Sequence, residues 1–157
     1  MRDDEILANF GGEARVRHLD AMLSQLRARG VALFIVSVGF RDAFLPHLRK
    51  VNLLGHFDDR CIYGQDSPEL REVNFVKGRL IDSIMRSKGW SHDEVLFVDD
   101  SAEHIQRAAA VCRTLHVVER KGMRADVEMR ACLAAASVAC EFTLLEGPLR
   151  TRAPDSQ

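Results

Sequence analysis

The stretch EVLFVDDSAEHI, residues 94–105, decides the fold of this chain. Its apolar run at 95–98 predicts a strand that is buried on both faces of a sheet. Two carboxylates, Asp99 and Asp100, follow the run directly, and residues 102–112 have the pattern of a helix. A buried strand that passes straight into a helix indicates βαβ units and a mainly parallel sheet.

The same alternation extends along the chain on both sides of this stretch. Apolar spacing and turn residues predict helices at 13–29, 41–54, 75–88, 102–112 and 125–137, and strands at 31–36, 61–63, 95–98 and 115–118. Pro46 predicts that the second of these helices starts late or kinks. Residues 138–145 are apolar and ambiguous. We therefore expect one α/β domain over residues 1–150, with a three-layer, Rossmann-like sheet covered by helices on both faces, and a flexible tail at 151–157.

Composition narrows the function classes. A chain of 157 residues fits one domain, and 22 Lys+Arg against 23 Asp+Glu give a net charge of -1, which does not favour nucleic acid as a partner. The four cysteines include no Cys-x-x-Cys pair, which indicates reduced thiols and a cytoplasmic protein. The charged first residues do not fit a signal peptide, and no apolar run is long enough for a membrane span. We expect neither nucleic acid nor a membrane as partner.

Polar side chains follow the two longest apolar runs, at the edge of a parallel sheet where ligands bind. The candidate site residues are Ser37, Val38 and Gly39 after the first run, Lys77 at the start of a helix, and Asp99 and Asp100 after the second run. Taken singly, such residues are usually turn residues, solvated lysines or helix caps. Together, a hydroxyl, an ammonium and two carboxylates suit a phosphoryl group beside Mg²⁺.

Three segments carry a resemblance to a known family. VALFIVSVG (31–39), NFVKGRLIDSIM (74–85) and EVLFVDDSAEHI (94–105) resemble, in this order, the last three sequence motifs of the haloacid dehalogenase (HAD) superfamily. The intervals of 40 residues from Ser37 to Lys77 and of 22 from Lys77 to Asp99 suit that family. The resemblance covers about residues 13–120.

The resemblance implies a Mg²⁺-dependent phosphomonoester phosphatase that works through an aspartyl-phosphate intermediate. By resemblance, Ser37 hydrogen-bonds the phosphoryl group and Lys77 neutralises the charge of the nucleophile and the phosphate. Asp99 and Asp100 hold Mg²⁺, and the backbone at Val38 and Gly39 adds N–H donors to the phosphate site. We expect a phosphorylated small molecule or a phosphorylated protein as substrate, with residues 64–74 as the loop over the site.

The first motif of the family, a hydrophobic strand that ends in Asp-x-Asp and supplies the nucleophile, is not found in this sequence. The expected place holds MRDDEILANFGG, residues 1–12, and on an extended segment the adjacent Asp3 and Asp4 point to opposite faces. We therefore expect a sheet whose first central strand is missing, and a chain that is inactive by itself.

Three explanations are open for that gap. The chain is incomplete, which we favour, or it is a degenerate, non-catalytic binding protein whose flanking strands pair directly. In the third explanation another strand fills the gap and pairs with the backbone groups of the two flanking strands. This strand comes from residues 138–145, from a partner chain or from a second copy.

A smaller departure from the family follows the acidic pair. Many relatives have Asn where this chain has His104, which we expect on the helix surface, although it could orient a carboxylate.

Overall fold

The computed structural model describes residues 2–118, 122–135 and 142–144. In these parts of the chain, parallel strands form one sheet in the order β2-β1-β5-β3-β4. The strands are β1 (Leu33–Val36), β2 (Ile62–Tyr63), β3 (Leu96–Asp99), β4 (Arg113–His116) and β5 (Phe142–Leu144). The α/β class and the parallel sheet that the apolar runs predict are confirmed. The predicted tail at 151–157 lies outside the described residues.

Five of the described α-helices lie within the ranges that the apolar spacing predicts. Two were not predicted, and one of them, Pro68–Glu72, lies in residues 64–74, which we expected to form a loop. The helices are α1 (Asp3–Asn9), α2 (Glu13–Ala28), α3 (Arg41–Lys50), α4 (Pro68–Glu72), α5 (Lys77–Lys88), α6 (Ala102–Ala108) and α7 (Arg130–Ala135), and a π-helical turn (Ala125–Met129) leads into α7. Gly89 ends α5 in the left-handed conformation, with φ +71°, which glycine adopts without a steric penalty. In the part of the chain that the structure describes, no helix is both long and apolar enough to cross a bilayer.

The prediction that Pro46 delays α3 is wrong. The helix begins at Arg41 and continues through Pro46 to Lys50. The proline removes one intrahelical hydrogen bond, but Phe44 and Leu48 on the same helix are both buried in the core. Packing of an apolar face supplies most of the stability of a helix in a protein, and here it retains the helix on both sides of the proline.

The N-terminal segment is a helix and not an extended segment. Asp3 and Asp4 lie in the first turn of α1, where carboxylates interact favourably with the helix dipole. Asp3 also forms an ion pair with Lys50 on α3, at 2.7 Å between carboxylate oxygen and Nζ. Both carboxylates thus have a local role at a helix start, and Ile6 and Phe10 anchor this helix in the core.

A strand occupies the central position that we expected to be empty. β5 pairs in parallel with β1, where Leu144 lies opposite Ile35, and with β3, where Thr143 lies opposite Phe97. The expectation of a gap at this position is therefore wrong for this sheet. Backbone N–H and C=O groups inside a sheet need hydrogen-bond partners, and β5 supplies them to both neighbours. Of the three explanations, the one in which a segment within residues 138–145 fills the position describes this arrangement.

Alternate residues of the central strands pack into different hydrophobic clusters. Ile35 of β1 and Val98 of β3 belong to the largest cluster, together with the buried residues of α1, α2 and α3. Phe97 of β3 packs with residues of α5 and α6, and Val36 of β1 packs with Leu80 of α5 and a residue of α4. Side chains of successive strand residues point to opposite faces, so helices lie against both faces of β1 and β3.

A close helix contact fixes the start of α5. Gly78 is buried beside α6, and a Cβ atom at this position would lie 3.2 Å from both Ala108 Cα and Arg107 O. The missing side chain therefore allows α5 to approach the backbone of α6. Lys77 directly precedes Gly78 at the start of this helix.

We predict that Gly78→Val lowers the free energy of unfolding by about 1–3 kcal/mol, because a β-branched side chain must force α5 away from α6. Urea denaturation measures the change. Gly55→Val is the matched control, because no atom lies within 4 Å of a Cβ at Gly55. Equal stability of both variants would contradict the account of this contact.

Candidate phosphoryl-binding site

A buried ion pair lies at the carboxyl edge of the sheet. Lys77 Nζ donates a hydrogen bond to Asp99 Oδ2 at 2.7 Å, and the two side chains are 0% and 1% exposed. Asp99 is the last residue of β3 and Lys77 is the first residue of α5. The strand and the helix thus bring together two residues that are 22 positions apart in the sequence.

The acidic pair is not the cap of the following helix, which was the alternative for Asp99 and Asp100. Ser101 holds that position, and its hydroxyl accepts a hydrogen bond from His104 N at 3.4 Å. Asp99 Oδ1 accepts from Ser101 N at 2.7 Å, so both carboxylate oxygens of Asp99 have partners. Asp100 is also buried, and its carbonyl oxygen lies 3.2 Å from His116 Nε2.

The serine loop lies at the same edge, after β1. Ser37 is buried, and its backbone N–H donates to Tyr63 O of β2 at 2.9 Å. Its Oγ accepts from Gly39 N at 2.9 Å, and a Cβ on Gly39 would come within 3.2 Å of this Oγ. A serine hydroxyl carries one donor proton in addition to its acceptor lone pairs. In this arrangement the Gly39 N–H supports the serine oxygen.

The segment after β2 packs against the serine loop. Gln65 N donates to Gly39 O at 2.8 Å, and Asp66 Oδ1 accepts from Arg41 N at 3.1 Å. A Cβ at Gly64 would lie 2.9 Å from Gly39 O, so glycine is required for this close approach. The guanidinium of Arg41 donates to Ile62 O and pairs with Asp59, so it is directed along β2.

Strand order sets the width of the site. β1 and β3 are both parallel neighbours of β5, so Ser37 and Asp99 follow strands that end at the same edge. Two strand spacings of about 4.8 Å, about 10 Å in total, separate the two strand ends. The described part of β5 ends at Leu144, level with Ile35. The structure therefore brings Lys77 into contact with Asp99 and puts Ser37 and Asp100 on the same rim.

One neighbour of the site was missed by sequence reasoning. His116 belongs to no motif of the sequence, yet its Nε2 lies within hydrogen-bond distance of the Asp100 carbonyl oxygen. The cause is register, because His116 of β4 pairs directly with Asp99 of β3. No motif signals that register, which depends on how far each strand extends past the sheet edge. His104 is partly buried on α6, so the expectation of a helix-surface position holds only in part.

The carboxylate oxygens at this edge suit a hard cation that also binds water or substrate oxygens. Within the described ranges, no group of three or more His, Cys, Asp or Glu residues is placed to hold a metal ion. Mg²⁺ is commonly bound by one or two carboxylates together with water and substrate phosphate oxygens. Asp99 and Asp100 provide two buried carboxylates next to each other. Both are candidates to hold Mg²⁺, directly or through water.

Comparison with family models agrees with an α/β fold of this kind. The model of the haloacid dehalogenase-like hydrolase family matches residues 14–117, which include β1 to β4 and every candidate site residue. The chain belongs to this family of hydrolases. Neither the curated proteins nor the solved structures include a match to the chain.

We predict that Lys77→Met lowers the free energy of unfolding by about 3–5 kcal/mol, because it leaves the Asp99 carboxylate buried without its countercharge. The double variant Lys77→Met, Asp99→Asn removes both charges and retains an oxygen that can accept from Ser101 N. We expect it to be more stable than the Lys77→Met variant in urea denaturation. If the double variant were less stable than the single one, the proposed charge compensation would be contradicted.

Proposed function

We propose that this chain binds the phosphoryl group of a phosphomonoester together with Mg²⁺, in the manner of a phosphatase of its family. The observation that carries the proposal is the fully buried Lys77–Asp99 ion pair at the sheet edge where Ser37 and Asp100 also lie. Buried ion pairs add little stability compared with apolar residues of the same size. Ligand binding therefore accounts better for this pair than stability does.

Each residue has a distinct role in the proposal. The hydroxyl of Ser37 donates to a phosphoryl oxygen, and the positive charge of Lys77 favours an anion at the edge of β3. The carboxylates of Asp99 and Asp100 would hold Mg²⁺, directly or through water, and the hydrogen bond from Lys77 orients Asp99. When bound, Mg²⁺ reduces the negative charge of the phosphoryl oxygens. The Gly39 N–H keeps the serine oxygen in place.

We propose that binding occurs without turnover in this chain. The family route needs an aspartate nucleophile in an Asp-x-Asp motif, and the sequence of 157 residues has no such motif. An additional strand that carries the motif would complete the enzyme, supplied upstream or by a partner chain. We propose a cytoplasmic phosphorylated small molecule or phosphorylated protein as the ligand.

A second candidate function is a binding protein that retains the scaffold without any catalytic form. The observation that favours it is β5, which pairs with both β1 and β3 and so holds the central position of the sheet. A motif-bearing strand must displace β5 before it can pair with the same neighbours.

We predict that the wild-type chain binds orthophosphate in the presence of Mg²⁺ and that Ser37→Ala and Asp100→Asn each weaken binding by about tenfold, since each removes a bond to a charged group. Isothermal titration calorimetry measures the affinities. Ser87→Ala is the control, because Ser87 is exposed on α5 and its hydroxyl bonds only locally, to Ile84 O. Absence of binding to the wild type, or equal weakening by Ser87→Ala, would contradict the proposal.

The two candidate functions differ in the outcome of one assay. A version of the chain that is extended upstream with an apolar strand ending in Asp-x-Asp is incubated with an aryl phosphate and Mg²⁺. Turnover that is lost on Asp100→Asn supports the phosphatase. Phosphate binding without turnover in the extended version supports the binding protein.

A further inference from the structure

Two exposed phenylalanines are close in sequence to residues of the candidate site. Phe40 is 54% exposed and Phe75 is 39% exposed. Among the described residues, the other large apolar side chains at the surface are valines. Phe40 follows Ser37 by three positions, and Phe75 precedes Lys77 by two positions. Each phenylalanine is thus within three positions along the chain of a residue that we propose to hold the phosphoryl group.

Phe40 has no local structural role that requires an aromatic ring. It is the N-cap of α3, a position where serine, threonine, aspartate or asparagine normally accepts a hydrogen bond from the helix. Phe40 makes no side-chain cap bond, and Arg41 N instead donates to Asp66 Oδ1. The capping role is thus supplied from another loop, and the phenyl ring remains at the surface.

Phe75 is held in an uncommon backbone conformation. Asn74 N donates to Arg71 O and Phe75 N donates to Leu70 O, which is the Schellman pattern that ends a helix. In that pattern only the residue at the Asn74 position needs a positive φ, yet Phe75 also has φ +61°. A bulky residue in this region is strained, and such strain is found at ligand-binding positions.

The apolar residue that follows such a helix end normally packs back on the helix. Leu70, its expected partner, is fully buried, whereas the ring of Phe75 remains partly in solvent. The helix end therefore explains the turn but not the exposure of the ring.

We propose that Phe40 and Phe75 form an aromatic rim that contacts the organic group of the ligand, and that this group is an aryl ring attached to the phosphate. The inference rests on the proposed function, since the phosphoryl group must bind between Ser37 and Lys77. Aromatic side chains prefer flat apolar surfaces, against which they stack or pack edge-on. An alkyl phosphate offers less surface, and orthophosphate offers none.

The test compares three probes on the full chain by calorimetry in the presence of Mg²⁺: phenyl phosphate, methyl phosphate and orthophosphate. The wild type is expected to prefer phenyl over methyl phosphate by about tenfold, and Phe40→Ala or Phe75→Ala to reduce this preference by about threefold each. Orthophosphate affinity should stay unchanged in both variants. Val127→Ala, another exposed apolar residue, is the control and should not change the preference.

A further variant separates the loss of the aromatic ring from misfolding. Because the backbone at residue 75 is left-handed, Phe75→Gly removes the ring and also relieves the strain. It is expected to reduce the preference as Phe75→Ala does, in a chain whose circular dichroism matches the wild type.

The possible failures are distinguishable. If the wild type binds orthophosphate but binds phenyl and methyl phosphate equally, the aromatic rim is overturned and the proposed function stands. If no probe binds, the proposed function fails and the rim fails with it. A phosphotyrosine pentapeptide that binds more tightly than phenyl phosphate supports the rim and assigns the aryl phosphate to a protein source, and equal affinity supports a small aryl phosphate.

Discussion

The burial of Lys77 against Asp99 is the interaction on which this edge of the structure depends. Removing an ammonium and a carboxylate from water is costly, and the cost is offset only when the two charges are close and their remaining hydrogen bonds are made. Here the two charges lie 2.7 Å apart, and Ser101 N satisfies the second carboxylate oxygen. Gly78, the residue after Lys77, allows α5 to approach α6 closely.

The sheet imposes a second requirement, which is that the strands on either side of the centre need a partner. β1 and β3 carry the serine and the acidic pair, and β5 satisfies the backbone groups of both. The two halves of the site thus stand about 10 Å apart, at two strand spacings. This width leaves space for a phosphoryl group between a hydroxyl donor on one side and charged groups on the other.

Much of this arrangement could be predicted from the sequence, because its signals are local. Runs such as LFIV and LFVD mark buried parallel strands, and the residues directly after them must lie at the ligand-binding edge. The predicted end of the helix at residue 88 is confirmed, because Gly89 follows it in the left-handed conformation that favours glycine. The family resemblance predicts Lys77 and Asp99 at one site, but it does not predict the ion pair between them.

The parts that could not be predicted depend on contacts between distant segments. Pro46 indicated a late helix start, but burial of Phe44 and Leu48 outweighed the lost hydrogen bond. The position of β5 could not be read from an apolar run at 138–145, since strand order is decided by pairing. The contact of His116 with Asp100 depends on register in the same way.

The most direct measurement of the central claim is a nitrogen–proton NMR titration of the labelled chain with phosphate and Mg²⁺. The account predicts that amide shift changes concentrate at Ser37, Gly39, Asp100 and Ser101, on the loops that follow β1 and β3. Changes confined to α1 and α2, or no changes at millimolar phosphate, would contradict it.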